Sequence, residues 1–235
     1  MTHPQTAPVL AVALDFSDLD EALTVARAVR PWCPIAKVGL QLYTSVGPGA
    51  VRALVDEGHE VFLDLKLHDI PNTVRRAAEA AGRIGASFLT AHAAGGAEML
   101  AAAVSGFEAG RAPLVDRGNA GVLAVTVLTS EPDPPSGLVE ERCRLAASTG
   151  CAGVVCAGAE ILTARAVSPE LVVLVPGIRA AGQSTDDQAR VTTPGDAARA
   201  GASVLVVGRT VTAASDPAAA AASIAAEVAW AISPG

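Results

Sequence analysis

Short aliphatic runs recur along the chain, and segments with helical spacing separate them. Eight runs are apolar at almost every position, which is typical of strands that are covered on both faces. These runs span residues 9–14, 35–40, 60–65, 87–91, 121–127, 153–157, 171–175 and 203–207. Helices are predicted over residues 18–29, 47–57, 73–84, 96–108, 138–148 and 194–200, and Asp216 is expected to cap a closing Ala-rich helix.

The alternation of strand and helix predicts the fold class. Eight such units within 235 residues predict an α/β fold, a (β/α)8 TIM barrel. The alternative is an open, doubly wound parallel sheet, but the first run ends in Leu14-Asp15-Phe16 and no GxGxxG segment follows it. We therefore predict a single barrel domain over residues 1–235, with residues 1–8 as a short N-terminal extension.

Composition narrows the possible partners. Hydrophobic residues make up 51% and charged residues 17% of the chain, a balance typical of a folded globule. The formal net charge of -7 disfavours nucleic acids and anionic membrane surfaces as partners, because both would repel the protein. No apolar stretch reaches the roughly 20 residues of a membrane-spanning helix, and the N-terminal residues do not resemble a signal peptide. We expect a cytoplasmic enzyme that acts on a small molecule.

The cysteines and histidines show no pattern typical of a metal site. The four histidines lack ligand spacing, and His3 and His59 are expected at the surface. The four cysteines form no CxxC pair and are predicted to be free, buried thiols: Cys33, Cys143, Cys151 and Cys156. No structural metal is expected.

Charged side chains end the third apolar run, in the segment Asp64-Leu65-Lys66-Leu67-His68-Asp69. The two-residue period of a strand places Asp64 and Lys66 on the same face, and Asp69 follows on the loop. Barrel enzymes carry their chemistry at this end of the strands. Because an unpaired buried charge costs several kcal/mol, the two groups are expected to pair. A purely structural ion pair is the alternative interpretation.

Lysine is rare in this chain. Of the 17 Lys and Arg residues, only Lys37 and Lys66 are lysines, and both lie at the ends of predicted strands. An ammonium group can transfer a proton, whereas a guanidinium group keeps its own. The placement therefore favours a requirement for a transferable proton at these two positions, and chance placement of two lysines is the alternative interpretation.

The loops after the seventh and eighth runs indicate a phosphate site. They carry Pro176-Gly177-Ile178-Arg179 and Gly208-Arg209, and barrel enzymes often bind phosphate between these two loops. Gly208 lets the backbone approach closely, and Arg209 can bind a phosphate bidentately. Solvated surface charges are the alternative interpretation of Arg179 and Arg209.

Residues 64–73, with the sequence DLKLHDIPNT, resemble the signature of the orotidine 5'-monophosphate decarboxylase family. Residues 179–188, which include Asp187-Gln188, resemble that family's phosphate-gripper loop. Five further segments agree in order, so the resemblance spans nearly the whole chain: Leu14-Asp15, Lys37-Val38-Gly39, Val127-Leu128-Thr129-Ser130, Pro176-Gly177-Ile178-Arg179 and Val207-Gly208-Arg209. The resemblance implies decarboxylation of orotidine 5'-monophosphate to UMP in de novo pyrimidine biosynthesis, without a metal or another cofactor.

The resemblance also implies a role for each matching residue. Lys66 would protonate the ring carbon that loses CO2 and stabilise the carbanion, while Asp64 would lie beside the departing carboxylate. Lys37 and Asp69 would complete an alternating network of charges. The implied substrate-binding residues are Asp15, Lys37 and Thr73 at the ribose, Thr129 near the pyrimidine, Gln188, Gly208, Arg209 and nearby Arg179 at the phosphate, and also Asp64, Ile70 and Pro176. A homodimer with shared active sites is implied, in which Asp69 and Thr73 reach the partner's site.

Two other functions share parts of this pattern. Keto-gulonate phosphate decarboxylase and hexulose phosphate synthase share the DxKxxD core and hold an enediolate with Mg2+, but the HDIPNT continuation and the PGIR loop favour the nucleotide enzyme. A barrel that only binds UMP-like ligands would be expected to have lost the charged network. His68 is expected to pack beside the motif, and His92 to line the site or to lie behind it.

Overall fold

Eight parallel strands close into a barrel in chain order, because β1 pairs with both β2 and β8. The computed structural model describes residues 7–111, 120–131, 133–179 and 192–233. The strands are β1 (Val9–Ala13), β2 (Ile35–Gly39), β3 (Glu60–Leu67), β4 (Phe88–His92), β5 (Gly121–Val125), β6 (Gly153–Val155), β7 (Val172–Val175) and β8 (Val204–Val207). Closure of the sheet confirms the predicted (β/α)8 barrel and excludes the alternative of an open, doubly wound sheet. The single domain over residues 1–235 stays a prediction.

Helices surround the barrel. In the described part of the chain they are α1 (Leu19–Val29), α2 (Leu40–Val46), α3 (Pro48–Asp56), α4 (Pro71–Arg83), α5 (Gly96–Arg111), α6 (Leu138–Ser148), α7 (Ile161–Val167), α8 (Pro194–Arg199), α9 (Arg209–Thr212) and α10 (Pro217–Ala231). Asp18 and Asp216 cap α1 and α10 by accepting backbone N–H groups, as predicted for Asp216. No described helix is long and apolar enough to cross a membrane.

Two layers of apolar side chains explain why the strands are apolar at almost every position. Alternate strand residues, such as Ala11, Phe62 and Leu174, fill the inside of the barrel. Their neighbours in sequence, such as Val12 and Leu63, pack outwards against the helices. Continuous apolar strands are therefore a consequence of burial on both faces. The inward positions continue towards the carboxyl ends of the strands, where Lys37 and Asp64 replace apolar residues.

Helices α4 and α5 pack with their backbones almost in contact. A Cβ atom at Gly106 would lie 2.1 Å from the carbonyl oxygen of Arg75, and one at Gly110 would lie 2.1 Å from the carbonyl oxygen of Glu79. These oxygens belong to the helix backbone and cannot move aside as a flexible side chain can. Glycine at these two positions therefore permits the close approach of α5 to α4.

The prediction that His59 lies at the surface is wrong, because its exposed fraction is only 1%. Its backbone N–H donates to the carbonyl of Leu54 at 3.0 Å, which draws the residue in behind the end of α3. Burial is the main cause that lowers the pKa of His59. His59 lies between the polar residues Glu57 and Glu60, and the sequence contains no signal for the inward direction of its ring. His3 lies outside the described residues.

Candidate active site

A cavity of about 490 Å3 opens at the carboxyl ends of the strands. Apolar side chains that also fill the barrel form part of its wall, including Phe62, Val125 and Leu174. Nine of the predicted site residues line it: Asp15, Lys37, Asp64, Lys66, Thr129, Pro176, Arg179, Gly208 and Arg209. We refer to this space as the site cavity. The fold thus gathers residues from six strand ends around one apolar-walled space.

An ion pair occupies one side of the site cavity. Lys37 Nζ donates to Asp15 Oδ1 at 2.8 Å, and the Lys37 side chain is 12% exposed against 56% for Asp15. Gly39, two residues after Lys37, leaves room for this pair, since a Cβ there would lie 2.9 Å from Lys37 Nζ and 3.0 Å from Asp15 Oδ1. The absence of a side chain at Gly39 is therefore part of the geometry of the site.

Strand β3 is irregular where it enters the site cavity. Leu63 pairs with Leu89, but Leu67 pairs with Ala91, so four steps along β3 match two along β4. Within this bulge Lys66 has a φ of 50°, which is uncommon for a residue other than glycine. Lys66 Nζ nevertheless donates to Asp64 Oδ2 at 2.7 Å. The two charges meet as expected, but a bulge brings them together where a regular pleat was predicted.

Two polar residues beside these ion pairs were not predicted as site residues. Thr90 is fully buried on β4 and contacts both Asp64 and Lys66. A hydroxyl inside an apolar strand was the available signal for it. Gln41 lines the site cavity and donates from Nε2 to Ser17 Oγ at 3.0 Å. It belongs to α2, which directly continues β2 and for which the sequence analysis predicted no helix, so nothing in the sequence indicated that the Gln41 side chain faces the site cavity.

Two histidine rings lie close to each other near the ends of β3 and β4. The ring centroids of His68 and His92 are 5.4 Å apart, and neither ring lines the site cavity as formed by the described residues. Burial lowers the pKa of His92, and nearby His68, Lys66 and Arg142 lower it further against a smaller opposite effect of Asp64. His92 is therefore neutral near pH 7, which limits the positive charge around Lys66.

The loops after β7 and β8 bring two guanidinium groups to the site cavity. Arg179 is fixed through its backbone N–H, which donates to the carbonyl of Thr192 at 3.1 Å. Gly177 has a φ of 76°, a conformation that favours glycine. Arg209 begins α9 directly after Gly208. Because β7 and β8 are adjacent, these arginines come from neighbouring strand ends. Gln188, from the predicted gripper loop, lies outside the described residues.

Three predicted site residues do not line the site cavity of their own chain: Asp69, Ile70 and Thr73. All three are exposed. Asp69 Oδ1 accepts the backbone N–H of Ile70 at 2.7 Å, and Ile70 has 67% of its surface exposed. These residues form the start of α4 and the loop before it, on the outside of the barrel.

The cysteines are the remaining candidates for metal or redox chemistry. The four cysteines are free and buried, as predicted, and burial raises the pKa of Cys33 to about 12. Over the described ranges, no group of three or more His, Cys, Asp or Glu side chains is placed to hold a metal ion.

Comparison with known proteins identifies the family. The model of a family described as orotidine 5'-phosphate decarboxylase / HUMPS matches residues 8–224. A protein named orotidine 5'-phosphate decarboxylase from Anaeromyxobacter sp. (strain K) is 50% identical over 92% of this chain and 96% of its own length. A protein with the same name from Moorella thermoacetica is 45% identical over 93% of this chain and 91% of its own length.

A solved structure agrees with these sequence matches. The crystal structure of orotidine 5'-phosphate decarboxylase from Lactobacillus acidophilus aligns with a TM-score of 0.81 and 33% identity, over 95% of this chain and 99% of that one. The similarity therefore extends through the whole barrel and through each strand end that lines the site cavity. The chain belongs to the orotidine 5'-phosphate decarboxylase / HUMPS family.

Proposed function

We propose that this protein decarboxylates orotidine 5'-monophosphate to UMP, in de novo pyrimidine biosynthesis, without a metal or another cofactor. The observation that carries the proposal is the contact of 2.7 Å between Lys66 Nζ and Asp64 Oδ2 at the wall of the site cavity. It supplies one proton donor and one carboxylate beside an apolar space, in a cavity that two arginines suited to a phosphate also line.

Lys66 is the proton donor of the proposed reaction. The bond between the pyrimidine ring and its carboxylate breaks, CO2 leaves, and the electron pair stays on the ring carbon. The Lys66 ammonium then gives its proton to that carbon, and solvent returns a proton to the amine. Unit charges 4 Å apart attract by about 4 kcal/mol at an effective dielectric constant of 20. Such attraction to the developing carbanion corresponds to a rate factor of roughly a thousand.

The rest of the site cavity positions the substrate. In this proposal Asp15 and Lys37 hold ribose hydroxyl groups, and Thr129 and Pro176 contact the base. We assign the phosphate to Gly208, Arg209 and Arg179, with Gln188 from the gripper loop. A phosphate held far from the reacting carbon provides binding energy that orients the ring against Lys66.

We further propose a homodimer in which each site includes residues of the partner. Asp69, Ile70 and Thr73 are exposed and do not reach the site cavity of their own chain, which is what residues that serve a neighbouring site would show. Mixing Asp69→Ala chains with Lys66→Ala chains tests this, because mixed dimers would contain one intact site. Recovery of no activity in the mixture would contradict shared sites.

The direct test of the proposed reaction is turnover by the purified protein, followed by the fall in absorbance of orotidine 5'-monophosphate. Lys66→Ala is expected to abolish turnover while UMP still binds, because Lys66 acts on the reacting carbon. Arg209→Ala is expected to weaken UMP binding instead. Absence of turnover by the unmodified protein at high concentration would overturn the assignment, and near-normal turnover by Lys66→Ala would rule out the proposed proton donor.

Excess EDTA distinguishes this reaction from that of Mg2+-dependent relatives with the same DxKxxD core. Full activity is expected, and strong loss would favour a phosphosugar substrate held by a metal. We place the reaction in the cytoplasm, where a reducing environment keeps thiols such as the four buried cysteines free. The net charge of -7 favours a small-molecule substrate over nucleic acid or an anionic membrane.

A further inference from the structure

Thr90 lies at the centre of the irregular pairing between β3 and β4. Its exposed fraction is 0%, and it follows Leu89, the last residue of β4 that pairs regularly before the bulge. The pairing resumes only at Leu67 and Ala91. The segment that contains Asp64 and Lys66 thus runs beside Thr90 without regular backbone pairing to β4.

One hydroxyl group joins the two reactive residues. Thr90 Oγ1 accepts the backbone N–H of Lys66 at 2.8 Å and donates to Asp64 Oδ1 at 2.9 Å. An ionised carboxylate only accepts hydrogen bonds, so the single hydroxyl proton goes to Asp64 and a lone pair remains for Lys66. The other oxygen of Asp64 accepts the Lys66 ammonium at 2.7 Å. The carboxylate is therefore held on both oxygens, and its plane is fixed.

The conformation of Lys66 needs such support. A positive φ is unfavourable for a residue with a side chain, and the bulge removes the strand partner that the Lys66 N–H would otherwise have. A hydroxyl that accepts this N–H replaces the missing partner. It also links the backbone of Lys66 to the side chain of Asp64, so the ammonium and the carboxylate cannot shift independently.

We propose that Thr90 is a positioning residue, which holds Lys66 and Asp64 in the geometry that decarboxylation needs. This inference rests on the proposed function of the site. Thr90 itself does not line the site cavity, so it acts on the substrate through the other two residues. Because a proton donor misplaced by 1 Å can cost a hundredfold in rate, loss of the hydroxyl should lower kcat and leave the binding of UMP unchanged.

Thr90→Val and Thr90→Ser separate the hydroxyl from the shape of the side chain. Valine keeps the shape and removes both hydrogen bonds, so kcat is expected to fall about 10- to 100-fold. Serine keeps the hydroxyl, so kcat should stay within about threefold of the unmodified protein. The inhibition constant of UMP should stay within about threefold in both variants, because its phosphate and ribose contacts are unaffected.

Thr126→Val is the matched control. Thr126 is a buried threonine at the end of β5 whose Oγ1 donates to the carbonyl of Val155 at 2.9 Å, and it does not line the site cavity. Its replacement removes one buried hydrogen bond without touching Asp64 or Lys66. We expect kcat within about threefold of the unmodified protein, even where thermal unfolding shows a loss of stability.

The outcomes decide between a positioning and a merely structural role. A fall in kcat confined to Thr90→Val, with unchanged UMP inhibition, supports positioning. Equal kcat in Thr90→Val and the unmodified protein overturns it, and so does an equal fall in Thr90→Ser and Thr126→Val. If Thr90→Val does not fold, Thr90→Ala removes the same hydroxyl, and an unchanged kcat in that variant overturns the proposal in the same way. Failure of the proposed function would appear separately, as no turnover in the unmodified protein.

Discussion

Replacement of Gly39 by alanine is expected to damage the site without destabilising the barrel. The new Cβ would lie 2.9 Å from Lys37 Nζ and 3.0 Å from Asp15 Oδ1, whereas ordinary contacts begin at 3.4 Å. Both atoms must therefore retreat by roughly half an ångström. Since a displacement of 1 Å can cost about a hundredfold in rate, a displacement of half that size predicts a loss of about tenfold in kcat/KM.

Stability should respond differently to the same change. The backbone of Gly39 has φ -93° and ψ -175°, which alanine can adopt. The two atoms that must move are the ends of polar side chains at an open cavity, so their retreat leaves the core packing intact. We expect the free energy of unfolding to change by no more than about 1 kcal/mol.

The assay is kcat/KM for orotidine 5'-monophosphate, together with urea unfolding of the same preparation. Gly49→Ala is the matched control, because a Cβ at Gly49 would meet its nearest neighbour, Val46 Cγ1, only at 3.9 Å. It should leave activity unchanged. An activity of Gly39→Ala within about twofold of the unmodified protein would refute the reasoning, since the pair of Lys37 and Asp15 would then tolerate a shift of this size.

Three further predictions concern stability. Gly106→Ala, whose Cβ would lie 2.1 Å from a backbone oxygen of α4, should cost about 3 kcal/mol or more in urea unfolding, and a cost below about 1 kcal/mol would contradict the close packing of the helices. Arg165→Met should cost about 3 kcal/mol, because Arg165 donates to the carbonyls of Gly201, Pro169 and Leu171; unchanged unfolding would show that these carbonyls find other partners. His59 has a lowered pKa in the folded state, so the unfolded chain binds its proton more readily and stability is lost as pH falls from about 6.5 through the folded value. His59→Leu should therefore flatten the fall in unfolding free energy below pH 6.5, and an unchanged slope would exclude this role.

Regular elements could be predicted from the sequence because burial imposes their pattern. Apolar side chains on both faces of every strand, and the polar residues at their ends, were sufficient to predict the barrel and the positions of Lys37 and Asp64. Helix α2 was missed because it follows β2 without a loop, so Leu40 extended the apolar run of the strand. Short helices such as α9 have too few turns to show a helical period.

The bulge at Lys66 could not be predicted, because its cause lies in another strand. Thr90 is 24 positions away in the chain, and only the closed sheet brings its hydroxyl to the Lys66 backbone. Residue types can therefore suggest the site, whereas tertiary contacts fix its geometry.

The two lysines give the molecule an unusual chemical selectivity. Both line the site cavity, and the other 15 of the 17 basic residues are arginines, which amine-directed reagents do not modify at neutral pH. Apart from the amino terminus of the chain, every primary amine available to an acylating dye, a cross-linker or an activated resin is therefore at the site. Such reagents would act as inhibitors, and protection by UMP would measure occupancy. Surface attachment of this protein should instead use introduced cysteines, since its own thiols are buried.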